Sequence, residues 1–256
     1  MFDMSFFSLE GKKAIVTGGA QGLCYGIADA LHTAGAEVAL LDISDKVVDS
    51  AAELGKTGAP VHAVKGDLRD LDSLKAAYAE CLEKLGGRVD ILLNGAGVQY
   101  REKAETFPSE KWQFILDINL SAVFYMAQEA GRTMLEQGYG KIINIASMCS
   151  FFGSVLIPAY SASKGGVAQL TKALSNEWSG RGVNVNAIAP GYMATTLTED
   201  MKVKNPEQYK EITNRIPKGR WGKPDDLKGL AVFLASDASD YISGAVIPVD
   251  GGFMGK

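Results

Sequence analysis

Seven short runs of apolar, mostly β-branched residues recur along the chain, and most are followed by a longer stretch with helical spacing. The runs are KKAIVT (12–17), AEVALLD (36–42), VHAVKG (61–66), VDILLNG (89–95), KIINIAS (141–147), VNVNAIAP (183–190) and AVIPVDGG (245–252). Several lack polar alternation, as suits strands covered on both faces. Helical spacing is expected near 22–34, 70–85, 109–137, 159–179 and 224–235. This alternation predicts an α/β fold, a seven-stranded parallel sheet with helices on both faces. No repeat or Pro/Ser-rich linker divides residues 1–256, so one domain is expected. One polar, lysine-rich stretch, about 192–220, breaks the rhythm between the sixth and seventh runs. A long excursion at a sheet edge predicts a substrate lid.

Composition narrows the class. The chain is 46% hydrophobic and 22% charged, which is enough apolar material for a large core. Its net charge of −4 leaves no electrostatic footprint for nucleic acid. Cys24, Cys81 and Cys149 are odd in number and widely spaced, which forms neither a disulfide framework nor a zinc pattern. The opening MFDMSFFSLEG does not read as a signal peptide, and no run approaches the roughly 20 apolar residues of a membrane helix. A cytoplasmic protein with no membrane partner is expected.

The chemistry concentrates at the ends of the runs. TGGAQGLCYGIA (17–28) follows the first run and leads into a helix. Glycines there would let a dinucleotide pyrophosphate approach the N–H groups of a helix N-terminus. A tight structural turn is the plainer alternative. Gly26, one helical turn past Gly22, offers a bare position for close helix–strand packing. Asp42 ends the second run 20 residues beyond Gly22. A carboxylate there can accept from adenosine ribose hydroxyls and would repel the extra phosphate of NADP. The nearest cation is Lys46, so NAD is expected. Asp67 and Leu68 follow the third run, where an adenine edge would lie. In PAYSASKGG (158–166), Tyr160 and Lys164 share a helix face. An ammonium beside a phenol would lower its pKa from about 10 toward neutrality and make it a general acid–base. Ser147 ends the fifth run, Asn94–Gly97 follow the fourth, and Asn119 stands in the helix beyond. No cluster suggests a metal, and His32 and His62 read as structural.

Together these residues resemble the short-chain dehydrogenase/reductase family over the whole chain. The match runs from SLEGKKAIVTGG to the closing VDGG, through Tyr160-x-x-x-Lys164, Ser147, Asn119 in LDINLSAVF, Pro190-Gly191 and Thr195. The resemblance implies a three-layer, doubly wound Rossmann fold that binds NAD(H). It implies that Tyr160 exchanges a proton with the substrate oxygen and that Ser147 orients that oxygen. Lys164 would lower the Tyr160 pKa and hold the nicotinamide ribose, and Asn119 would support a water-borne relay toward Lys164. Gly18, Gln21, Gly22 and Leu23 would hold the pyrophosphate side, and Asp42, Asp67 and Leu68 the adenosine. Asn94, Ala96, Gly97, Pro190, Gly191 and Thr195 would line the rest, with the backbone near Ile188 and Thr195 on the carboxamide.

Two positions depart from the family pattern. The family's Asn-Asn-Ala-Gly stands here as Asn94-Gly95-Ala96-Gly97, which predicts a stability effect. Cys24 takes the last glycine slot of the first loop. A helix N-terminus can lower a thiol's pKa, although inert packing is the preferred expectation.

GKIINIASMCSFFG, NVNAIAPGYMATTLT, RIPKGRWGKPDDL and ASDYISGAVIPVDGG are similar to the family's sugar-acid dehydrogenases. A sugar acid needs a cation, and Arg101 is placed to supply one. Gln99, Met148, Ser150, Phe152, Tyr192 and Met193 are the other candidate substrate contacts. The alternatives are an acyl-carrier-protein reductase, which Asp42 and the acidic balance disfavour, and a non-enzymatic nucleotide sensor, which would be expected to lose members of the catalytic set. The resemblance also implies a homotetramer paired through helices 109–137 and 159–179, with a second contact through the seventh strand.

Overall fold

The computed structural model describes residues 3–194 and 202–255. Its strands are β1 (Lys13–Thr17), β2 (Glu37–Asp42), β3 (Val61–Lys65), β4 (Ile91–Asn94), β5 (Gly140–Ile145), β6 (Val183–Pro190) and β7 (Val246–Val249). The helices are α1 (Gly22–Thr33), α2 (Lys46–Leu54), α3 (Leu71–Lys84), α4 (Ser109–Leu116), α5 (Ala122–Gln137), α6 (Pro158–Trp178), α7 (Pro206–Arg215) and α8 (Asp225–Ala235). Every strand pairing is parallel, in the order β3-β2-β1-β4-β5-β6-β7. This is the expected doubly wound Rossmann sheet.

Period-two alternation sends neighbouring residues of one strand to opposite faces. Ala14 and Val16 of β1, with Leu40 and Leu93, pack under Ile27 and Leu31 of α1 and Leu227 and Leu234 of α8. Ile15, between them, faces the other way with Leu41 and Leu92, against Leu74 of α3, Met126 and Ala130 of α5 and Trp178 of α6. The central strands are buried on both sides, and truncating Leu92 to Ala would cost about 2–5 kcal/mol.

Three segments differ from the sequence reading. α2 was not expected, because KVVDSAAEL is short and half polar. The stretch expected as one helix over 109–137 is broken by a single π-helical turn, Asp117–Ser121, between α4 and α5. The excursion at 192–220 contains α7, while 195–201 lie outside the described residues. Gly26 does admit a close neighbour, but that neighbour is Pro224 before α8: a Cβ at 26 would stand 2.8 Å from the Pro224 ring, so helix meets helix-start and not strand. Among the described residues no helix is long and apolar enough to cross a membrane.

Candidate active site

Strand order reverses between β1 and β4, and the carboxyl ends of β1, β2, β4, β5 and β6 open onto a cavity of about 840 Å³. Open α/β sheets bind ligands at this place. On the β1 side the loop Thr17–Gln21 leads into the N-terminus of α1. Gly18 has φ +69°, and a Cβ on it would lie 2.9 Å from the Cα of Ala96, so only glycine lets the β1 and β4 loops touch. Thr17 fastens them: its Oγ1 accepts from the N–H groups of Gly95 at 3.0 Å and Ala96 at 3.2 Å. Asp42 lines the cavity with both oxygens oriented, one by the N–H of Ala20 at 3.1 Å and one by that of Ser44 at 3.0 Å. Lys46 donates to Gln21 Oε1 at 3.3 Å beside it. Asp67 and Leu68 also line the cavity, and the Arg69 guanidinium, bonded to both Asp67 oxygens, holds that carboxyl below its usual range.

The catalytic half is built on β5 and α6. Pro158 opens α6, which puts Tyr160 in its first turn and Lys164 one turn on, both on the cavity wall. Ser147 caps the 3-10 turn Met148–Ser150 by accepting from the N–H of Cys149 at 3.1 Å. Burial pushes the Tyr160 phenol up to about 12, against a hydrogen bond with Ser147 that pulls it down. The expected depression of Tyr160 by Lys164 is not found. The lysine's Nζ lies 5.8 Å from the ring centre and donates to the Ile145 carbonyl at 2.5 Å, and burial lowers its own pKa to about 8.

Asn119 is fully buried in the π turn. Its Oδ1 accepts from the Val98 N–H at 2.8 Å, and its Nδ2 donates to the Val98 carbonyl at 2.9 Å and to Ser163 Oγ at 3.3 Å. The side chain thus clamps the β4 loop. Of the expected cofactor residues, Gly18, Gln21, Leu23, Asp42, Asp67, Leu68, Ala96, Gly97, Tyr160, Lys164, Pro190 and Gly191 line the cavity. Gly22 opens α1 with φ +68° but is not on the wall. Asn94 is not brought there: it is buried, and its amide donates to the Val123 carbonyl and to Asn144 Oδ1. Ile188 lies inside β6 with its carbonyl bonded to the Ala146 N–H, and Thr195 lies outside the described residues.

At the substrate end Gln99, Arg101, Met148, Phe152, Tyr192 and Met193 line the cavity. Ser150 does not. Its hydroxyl donates to the Lys164 carbonyl at 2.6 Å and accepts from the Ser147 N–H, tying the β5 loop to α6. Cys149 and Trp221 were missed by sequence reasoning. Trp221 stacks on Tyr209 of α7 at 4.7 Å and meets Tyr192 at 5.2 Å, and a lone Trp in a polar stretch was the available signal. Burial raises the Tyr192 phenol, while Arg215 and Arg101 pull it down; Arg101 lines the cavity and Arg215 lies over the Phe253 ring. Cys24 is buried, and desolvation pushes its thiol up to about 12 against the pull of the Lys164 ammonium, as suits an inert packing group.

A glycine loop at a helix start, a carboxylate ending β2 and a phenol with Ser and Lys at the strand ends define a nicotinamide-dependent oxidoreductase site. A family model described as enoyl-(acyl carrier protein) reductase matches residues 18–254. The chain is 46% identical to 2-dehydro-3-deoxy-D-gluconate 5-dehydrogenase of Bacillus subtilis, over 98% of this chain and 97% of that one. It is 43% identical to the enzyme of the same name from Escherichia coli, over 99% of each. A gluconate 5-dehydrogenase of Burkholderia cenocepacia, solved with NADP and tartrate, matches with a TM-score of 0.93 at 36% identity over 98% of each chain. The chain belongs to the short-chain dehydrogenase/reductase family.

Proposed function

We propose that the protein is an NAD(H)-dependent dehydrogenase of a sugar acid, acting as a 2-dehydro-3-deoxy-D-gluconate 5-dehydrogenase. The observation that carries this reading is one cavity with Tyr160, Ser147, Lys164 and Arg101 on its wall. The names of the two relatives at 46% and 43% identity supply the substrate. The cradle at Gly18 and the oriented carboxylate of Asp42 fit a dinucleotide, and Asp42 favours NAD over NADP. When bound, the nicotinamide supplies or takes the hydride.

The chain's own residues do the rest. Tyr160 Oη passes the proton to or from the substrate oxygen. Ser147 Oγ holds that oxygen and favours the phenolate that forms. Lys164 is fixed against Ile145 to meet the nicotinamide ribose, and Asn119 keeps Val98 and Gly97 against it. Arg101 holds the substrate carboxylate. Tyr192, Met193 and Trp221 flank the substrate, and the subunits assemble as a homotetramer, a readout for light scattering.

A panel of gluconate, 2-deoxygluconate, 2-dehydro-3-deoxygluconate and uncharged alditols, each with NAD(H) and NADP(H), tests the reading. The expected result is fastest turnover of 2-dehydro-3-deoxygluconate with NAD(H), lost in Tyr160→Phe. Turnover of gluconate alone would move the assignment to gluconate 5-dehydrogenase, as the Burkholderia relative suggests.

A further inference from the structure

The two departures from the family pattern meet in space. A Cβ built on Gly95 would stand 2.2 Å from the Sγ of Cys24, 3.0 Å from the Thr17 carbonyl oxygen and 3.2 Å from the Cys24 Cβ. Gly95 has an ordinary backbone φ, so strain does not call for glycine there. The atom that meets a side chain most closely is the thiol in the first turn of α1, and the Thr17 carbonyl oxygen comes next. Around this point the β1 and β4 loops are in backbone contact: Gly18 lies against Ala96, and Thr17 Oγ1 takes the N–H groups of Gly95 and Ala96. Both loops line the cofactor cavity.

We propose that Cys24 and Gly95 are a reciprocal pair, one side chain shared between two positions, which sets the spacing of the two loops that flank the dinucleotide. A side chain stands at 24 and glycine at 95, where the family pattern has glycine and Asn. The volume is filled once, from α1 instead of from the β4 loop. With both side chains present, a well-packed interior has no room to relax and the loops must part. With neither, a void is left between them. Cys24 is a positioning residue: it acts on the cofactor through the β4 loop. The proposal rests on the cofactor site put forward above.

The test is a double-mutant cycle of Cys24→Gly, Gly95→Asn and the two together, read by melting temperature without cofactor and by the NADH dissociation constant from fluorescence titration. Gly95→Asn alone is expected to lower the melting temperature by about 5 °C and to weaken NADH about tenfold. Cys24→Gly alone weakens NADH about threefold. The double variant returns both readouts to within about twofold or 2 °C of the parent, and kcat at saturating cofactor changes less than the dissociation constant throughout. Additive effects, with the double variant as weak as Gly95→Asn, overturn the pair. Coupling in melting temperature without coupling in NADH affinity overturns the positioning role. If Gly95→Asn does not fold, recovery of folding and NADH binding in the double variant supports the pair, and failure of the double variant overturns it. A parent that binds no NADH removes the cofactor reading, while the melting cycle still decides whether the two positions are coupled.

Discussion

Lys164 donates its ammonium to the Ile145 carbonyl at 2.5 Å, inside a wall that strips it of water. Burial lowers its pKa from 10.5 to about 8. Between these values the unfolded chain holds a proton that the folded chain does not, so stability from this group rises with pH across that window. Below about pH 8 the folded state carries the full cost of the buried charge, about 3 kcal/mol. Lys164→Met removes the cost. Melting curves should show the parent gaining on Lys164→Met from pH 8 to 10.5 and a constant gap below pH 8. A gap that stays flat across the window would sink this account.

The Tyr160 phenol is pushed up to about 12 by burial, and Ser147 opposes that. Ser147→Ala removes the opposing hydrogen bond, so the pH at which alcohol oxidation accelerates should move upward. Turnover at neutral pH should fall about 100-fold. The pH–rate profiles of parent and variant check this, and superimposable profiles would show that Ser147 does not act on the phenol.

Asp42 accepts from the N–H groups of Ala20 and Ser44. Asn at this position keeps the shape, accepts through one oxygen and has no charge to repel a 2′-phosphate. Asp42→Asn should raise the ratio of kcat/KM for NADP over NAD by about 10- to 100-fold. It should also lower the melting temperature by a few degrees. An unchanged ratio would remove Asp42 from cofactor selection.

How much of this was legible in the sequence depended on range. The strands were legible because burial on both faces leaves apolar runs such as AEVALLD and KIINIAS with little else to be. Tyr160, Lys164 and Ser147 were legible because strand ends and one helical turn place them by local geometry. The bonds of Asn119 to Val98 were not, since they depend on a π turn that spacing rules do not register. Asn94 read as a cofactor contact because it sits next to residues that line the cavity; its burial follows from partners on α5 and β5. Cys24 and Gly95 each looked like an isolated departure, and only the folded chain brings them together.

Asn94 therefore gives a prediction of the opposite kind from the cavity residues. Asn94→Ala leaves the Val123 carbonyl and Asn144 without their donor inside the sheet. Stability should fall by about 1–3 kcal/mol in denaturant melts, with KM for NAD within about twofold of the parent. A large rise in KM at full stability would return Asn94 to the cofactor site.

Arg101 lines the cavity beside Tyr192, on which it acts electrostatically. Arg101→Ala should raise KM for the sugar acid about 10- to 100-fold while leaving an uncharged ketone within about threefold. Steady-state kinetics on both substrates make the comparison. Equal losses would mean that Arg101 shapes the cavity and does not hold a carboxylate.

The π turn at Asp117–Ser121 carries one residue more than an α-helical turn and so works as a phase correction. An α-helix advances about 100° per residue, and the apolar face of α5 must meet α3 and the sheet while Asn119 meets Val98. Without the extra residue those two demands fall out of step. Losing one residue there would let the chain revert to a plain helix with α5 still seated. The grip on the β4 loop would be the part given up. Insertions and deletions at this turn are therefore a route by which a relative could keep this architecture and discard its chemistry.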